Sequence, residues 1–208
     1  MPRITRLSAQ KKHPHRYNCF LDNDERITIT DDMIIRFHLA SGSELSDAEL
    51  QRLRNEADRV FTREKALELL SLRDHAAGEL RTKLLQKGYK KEHIPGVIRE
   101  LQEKKYINDS RFADMYAAEL IDKKHEGPAK VKERLIRRGV PAETIRGIMA
   151  DYDDARQIAN CRYHYEKKFP TLRGGDPVSD KQKMIRFLQG KGFGWQVISA
   201  VLEEDYEE

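Results

Sequence analysis

Cysteine is scarce in this chain: Cys19 and Cys161 are the only two. They stand far apart and match no metal-ligand spacing, which excludes a disulfide scaffold and a structural zinc site. No run approaches the roughly eighteen consecutive apolar residues of a membrane span, and the N-terminus lacks the apolar core of a secretion signal. A cytoplasmic chain with no membrane association is therefore expected.

Catalytic patterns are missing as well. Gly190-Lys191-Gly192-Phe193-Gly194 is glycine-rich, but an amphipathic helical pattern precedes it rather than a strand, so a helix stop fits it better than a phosphate cradle. Asp22-Asn23-Asp24 resembles the opening of a calcium loop, yet its twelfth position is Met33 instead of a glutamate. His13 and His15 have no third ligand nearby, and no serine or cysteine has a recognisable base. The chain reads as a protein without enzymatic activity and without a cofactor.

What the chain does have is charge. Of its 208 residues 36% are charged and 38% apolar, a balance that suits a slender helical protein better than a thick core. The formal charge is only +4, but it is unevenly placed. Residues 1–16 carry Arg3, Arg6, Lys11, Lys12 and Arg16 and no acid; Lys123 to Arg138 holds seven bases against Glu126 and Glu133. The C-terminus ends in an acidic tail containing Glu203, Glu204, Asp205, Glu207 and Glu208. Local blocks steer partners more than the total does, because charge fields decay within about 10 Å at moderate salt. A basic block fits nucleic acid, an acidic protein surface or plain solvation equally.

Along the chain, Tyr17 to Leu21 and Arg26 to Thr30 are β-leaning runs that predict a hairpin, and Thr30-Asp31-Asp32 opens a short helix ending near Gly42. Ser46 and Glu49 make a capping box ahead of Leu50, Leu53 and Ala57. From residue 64 onward helical signals dominate, and nine helices are expected. Asp109 and Ser110 mark one helix start, while Pro128 and Pro141 sit at first-turn positions.

Gly88, Gly139 and Gly192, each placed where a helix should stop, expose a repeat with spacings of 51 and 53 residues. Eight residues before them stand Leu80, Val131 and Met184; four before, Leu84, Leu135 and Leu188; one after, Tyr89, Val140 and Phe193. Six after come Ile94, Ile145 and Ile198, then Val97, Ile148 and Val201 at nine, and Ile98, Met149 and Leu202 at ten. All eighteen positions are apolar or aromatic in a chain that is 38% apolar. The first two columns make one helical stripe and the last three another, and the glycine turns the chain so that they meet. A preceding helix must close each unit: Arg63–Asp74, Ser110–Lys123 and Asp154–Lys168 are the candidates.

The expected fold is all-α, an elongated tandem array of three three-helix repeats with a small N-terminal extension. The divisions are 1–45 for the extension, 46–62 for a linking helix, and 63–108, 109–152 and 153–208 for the repeats. Tyr89 and Phe193 belong to a core column, whereas Trp195, Phe187 and Tyr163 fit either packing or ligand contact.

One basic pattern stands beside the core stripe. Lys130, Arg134 and Arg138 lie nine, five and one residues before Gly139, aligned on one helix face and expected to point outward. The equivalent positions hold Glu79, Lys83 and Lys87 in the first unit and Lys183, Phe187 and Lys191 in the third, and Arg137 extends the middle patch. Like charges four apart cost a few tenths of a kcal/mol, so either solvation or an anionic partner relieves them.

Leu72-Arg73-Asp74-His75, followed by Glu79-Leu80 and Lys87-Gly88-Tyr89, resembles the first-repeat signature of the RecX family, regulators of the bacterial recombinase RecA. Ile107-Asn108-Asp109-Ser110-Arg111-Phe112-Ala113, Gly127-Pro128, Arg138-Gly139-Val140 and Phe187-Leu188-Gln189 with Gly192-Phe193 continue it through about residue 205. Gly190 departs from the pattern, since family members usually carry a basic residue there, and the first loop of the third unit, Pro170 to Ser179, is longer. The resemblance implies binding in the groove of the RecA–DNA filament with inhibition of the recombinase and ATPase activities, by a monomer. Contact with single- or double-stranded DNA is a secondary implication, and a DNA-binding helical protein independent of RecA is the alternative. The residues expected at the partner are Arg73, Lys83, Lys87, Lys130, Arg134, Arg137, Arg138, Arg186 and Lys191.

Overall fold

A computed structural model describes residues 1–172 and 176–204; residues 205–208 of the acidic tail and 173–175 of the long third-unit loop lie outside the described residues. Among the described residues are three strands and ten α-helices, gathered into two compact units. One comprises Met1–Ser71 and Lys83–Glu100, the other Leu72–Thr82 and Leu101–Glu208.

The first unit opens on an antiparallel sheet of β1 (Ile4–Gln10), β2 (His13–Leu21) and β3 (Arg26–Thr30), in the order β1-β2-β3. The expected hairpin is present as β2 and β3, but β1 adds a third strand. Its run Ile-Thr-Arg-Leu-Ser-Ala-Gln is short on large apolar residues, and pairing with β2 supplies the order that its own pattern lacks. His13 and His15 are thereby strand residues, and His15 pairs with Asp31 at 2.9 Å. Ile4, Cys19, Leu21, Ile27 and Ile29 line the buried face together with Met33, Leu50 and Leu53.

Thr30 accepts a hydrogen bond from the Met33 N–H and opens α1 (Asp31–Arg36). That helix stops well before Gly42, because His38 already lies in the left-handed region at φ 51°. The capping box forms as expected: the Ser46 N–H donates to the Glu49 carboxylate at 2.8 Å, and the Glu49 N–H to the Ser46 hydroxyl at 3.2 Å. It starts α2 (Asp47–Leu72), 26 residues without a glycine or proline. Nothing stops this helix at residue 62, so the linking helix and the first helix of repeat one are one element.

The remaining helices follow the repeat. They are α3 (Ala77–Gln86) and α4 (Ile94–Glu103); α5 (Asp109–Ala118), running on as a π-helical turn over Glu119–Lys123, then α6 (Pro128–Arg137) and α7 (Ala142–Asp151); and α8 (Asp154–Lys168), α9 (Pro177–Gly190) and α10 (Trp195–Glu204). Gly88, Gly139 and Gly192 take φ values of 84°, 70° and 96°. At each, the next residue's N–H reaches back over the turn: Tyr89 to Leu84 O, Val140 to Leu135 O and Phe193 to Leu188 O. This Schellman closure joins two members of the apolar columns across every hinge. Of the eighteen column residues all are buried except Tyr89, Ile148 and Met149, which are half-buried.

In the second unit two cores succeed one another. Phe112, Leu120, Val131 and Leu135 belong to the first, and Tyr165, Met184, Leu188 and Phe193 to the second. The cysteines are apolar fillers: burial pushes the Cys19 thiol up to about 11 and the Cys161 thiol to about 12.

Candidate functional site

Backbone meets backbone where one repeat joins the next. Gly78, at the start of α3, packs so tightly on Gly139 that a Cβ on Gly78 would stand 2.5 Å from the Gly139 carbonyl oxygen. Gly127, the N-cap of α6, meets Gly192 in the same way. There the Gly127 N–H donates to Lys191 O at 2.9 Å and the Ala129 N–H to Gly192 O at 3.1 Å. The hinge glycine of each later repeat thus doubles as a docking point for the repeat before it.

These joints decide where the basic residues go. Lys130 donates from Nζ to Gly190 O at 3.0 Å in the following repeat. Arg134 lies 2.7 Å from the buried carboxylate of Glu126. Arg138 reaches Glu79 of the preceding repeat at 2.6 Å and stands over the Tyr116 ring at 5.2 Å. The expectation that this stripe points outward is corrected: it is half-buried and faces the joints. The like charges on α6 are relieved by Glu126 and Glu79, so no outside anion is needed to explain them.

Glu79 is the centre of that arrangement. Its carboxylate pairs with Arg73 at 2.5 Å and with Arg138, and it is only 10% exposed. Burial alone would raise its pKa, but the two guanidiniums outweigh burial and hold it below the ordinary glutamate value. Arg73 and Arg138 flank one cleft, floored by Phe112 and Tyr116, with Met115 exposed at its rim.

The other predicted residues are distributed differently. Arg137 is exposed and pairs with Glu133 one turn away. Arg186 is exposed on α9, and Lys191 at the α9 C-terminus lines a second cleft. In the first unit, Lys83 is half-buried on α3 and Lys87 is exposed beside Tyr89. Among the described residues no three His, Cys, Asp or Glu side chains gather as a metal cage, and no helix is long and apolar enough to cross a membrane.

A buried polar network absent from the sequence reading ties α8 to the loop before α6. Asn160 donates to Ile121 O at 3.0 Å and to the Tyr152 hydroxyl at 2.9 Å, and that hydroxyl donates to Glu126 O at 3.0 Å. The His125 Nδ1 donates to Asn160 Oδ1 at 2.7 Å, and His164 Nε2 donates to His125 O at 3.1 Å. In this network His125 carries a hydrogen on Nδ1 and His164 one on Nε2. Asp109 likewise acts away from its own helix. Asn108 caps α5, while Asp109 accepts from the Ala77 N–H at 2.7 Å.

Comparison with known proteins agrees with this arrangement. Residues 63–101, 108–147 and 154–202 match the family models described as the first, second and third three-helix domains of RecX. A regulatory protein RecX of Bacillus velezensis is 31% identical over 208 residues, spanning 100% of this chain and 79% of its own length. That of Clostridium acetobutylicum is 29% identical, spanning 99% of this chain and 97% of its own. A crystal structure of regulatory protein RecX superposes with a TM-score of 0.72 at 21% identity, covering 98% of this chain and all of its own.

Proposed function

The chain belongs to the RecX family, and from that premise we propose that it binds the RecA–DNA filament and inhibits its recombinase and ATPase activities. It acts as a cytoplasmic monomer without catalysis of its own, in the DNA repair and SOS setting of that recombinase. The observation that carries this reading is the succession of three family domains in order along the chain, each containing one glycine hinge. The exposed cations Arg73, Lys87, Arg137 and Arg186, with Lys83 and Lys191, are the partner contacts in this reading. Lys130, Arg134 and Arg138 act chiefly by holding the repeats together.

Purified chain added to RecA strand-exchange and ATP-hydrolysis assays tests the proposal. Both rates should fall as the chain approaches stoichiometric amounts, and unchanged rates at that ratio reject the reading. A second reading, direct DNA binding without RecA, is favoured by one observation, the gathering of lysines around Phe187 and Tyr163.

A further inference from the structure

The glycine hinges of the second and third repeats are occupied, and that of the first is open. A Cβ on Gly139 would stand 2.7 Å from Gly78 Cα, and one on Gly192 would stand 2.6 Å from Lys130 N and 3.0 Å from Gly127 O. In both joints the occupant is the first turn of a helix entered through glycine: Gly78 in α3 and Gly127 at the N-cap of α6. A Cβ on Gly88 would meet nothing within 4 Å. The carbonyls differ in the same way. Lys191 O and Gly192 O accept the Gly127 and Ala129 N–H groups, whereas among the described residues no backbone N–H donates to Lys87 O or Gly88 O. The φ of 84° accounts for a glycine at position 88, but not for the uncovered backbone beside it.

Each occupied hinge also brings a cation to an acid that flanks the incoming glycine. Arg138, just before Gly139, pairs with Glu79, just after Gly78, at 2.6 Å. Lys191, just before Gly192, lines one cleft with Glu126, just before Gly127. Lys87 holds the same place before Gly88. It is exposed and, among the described residues, has no carboxylate partner. Lys87 and Tyr89, on either side of the hinge glycine, line a cleft of about 540 Å³. The acids of that cleft are engaged, Glu64 by Arg16 at 2.6 Å and Glu68 by Lys65 at 2.5 Å. Phe61, with the Arg16 guanidinium 4.9 Å from its centroid, and the half-buried Tyr89 add apolar surface.

The two filled joints describe what the third accepts. We propose that the Gly88 hinge is a docking socket for another protein, and that it receives the first turn of an α-helix carrying a glycine with an aspartate or glutamate beside it. Glycine lets the two backbones approach as they do at Gly139 and Gly192. The unpaired N–H groups of a helix start suit Lys87 O and Gly88 O, and the acid, favoured at a helix N-terminus, meets the Lys87 ammonium. Among the described residues a second copy of this chain offers no such turn. Gly78 and Gly127 are already docked, and α9 begins on Asp176 and Pro177. Gly96 and Gly194 stand at the starts of α4 and α10 but have no acid next to them. The proposal does not rest on recombinase inhibition, since its test contains no recombinase.

The probe is an acetylated synthetic peptide of residues 74–86 of this chain, which contains Gly78-Glu79 and includes the whole of α3. It is titrated into the isotope-labelled full chain while the backbone amide resonances are followed. Saturable shifts should centre on Lys87, Gly88 and Tyr89. A Gly78→Val peptide should bind about tenfold more weakly, because its side chain holds the two backbones apart. Lys87→Glu in the full chain should weaken the parent peptide about threefold, and a Glu79→Lys peptide should recover that loss, which a folding defect would not allow. Absence of saturable shifts at the hinge, equal binding of the Gly78→Val peptide, or shifts at Arg138, Gly139 and Val140 instead overturns the proposal. Self-association of the chain that Lys87→Glu abolishes would assign the hinge to a second copy and overturn it equally.

Discussion

Replacing Gly78 by alanine tests the claim that consecutive repeats meet backbone to backbone. Inside a helix alanine is favoured over glycine by about 1 kcal/mol, and Gly78 lies in the first turn of α3, so helix propensity alone predicts stabilisation. The joint predicts the opposite. The new Cβ would stand 2.5 Å from Gly139 O and 2.8 Å from Gly139 Cα, whereas carbon contacts relax only at about 3.5–4.0 Å. Both neighbours are backbone, so no flexible side chain moves aside, and the joint must open by roughly 1 Å. Overpacking of this kind costs about 1–3 kcal/mol, leaving a net loss of up to about 2 kcal/mol once propensity is credited. Gly147 in α7 is the internal reference. It is helical, and a Cβ there meets nothing within 4 Å, so Gly147→Ala should gain about 0.5–1 kcal/mol. Urea unfolding followed by far-ultraviolet circular dichroism should therefore move the two midpoints in opposite directions at similar slope. If Gly78→Ala raises the midpoint as Gly147→Ala does, the packed joint is not what sets these glycines.

Leu135→Ala removes a fully buried side chain from the middle repeat and should cost about 2–5 kcal/mol in chemical denaturation. Arg138→Glu removes a partner of the nearly buried Glu79 and sets like charges together. Discounted for the 34% exposure of Arg138, the loss should be about 1–3 kcal/mol, and an unchanged melting temperature would return this residue to free surface. His164 is held below its ordinary value of 6.5 by burial and then by Lys191, so the unfolded chain takes up its proton first as pH falls. Its contribution is complete above about 6.5 and declines as pH drops toward the folded value. His164→Gln should flatten the melting profile in that window, and identical profiles would reject the assignment.

The repeat was legible because every part of it is local. A helix period, a residue permitted at positive φ and an apolar residue four positions before it all lie within one hairpin, so Leu84-Gly88-Tyr89, Leu135-Gly139-Val140 and Leu188-Gly192-Phe193 announce the same turn from sequence alone. The α8 limits, Asp154–Lys168, follow from the same reasoning. Residues whose role depends on distant partners were not legible. Arg138 looks like free positive charge until Glu79, 59 residues earlier, is placed against it. Gly78 and Gly127 look like ordinary helix-start glycines until Gly139 and Gly192 arrive at their Cα atoms. The N-terminal strand β1 takes its order from β2, and Lys123, Lys168 and Lys191 become one cleft only when three helix ends converge. Local periodicity determined the hairpins by itself, because a single turn contains all the forces that make it. Tertiary structure decided which charges are spent inside the protein and which remain for a partner, because that depends on contacts between residues many positions apart.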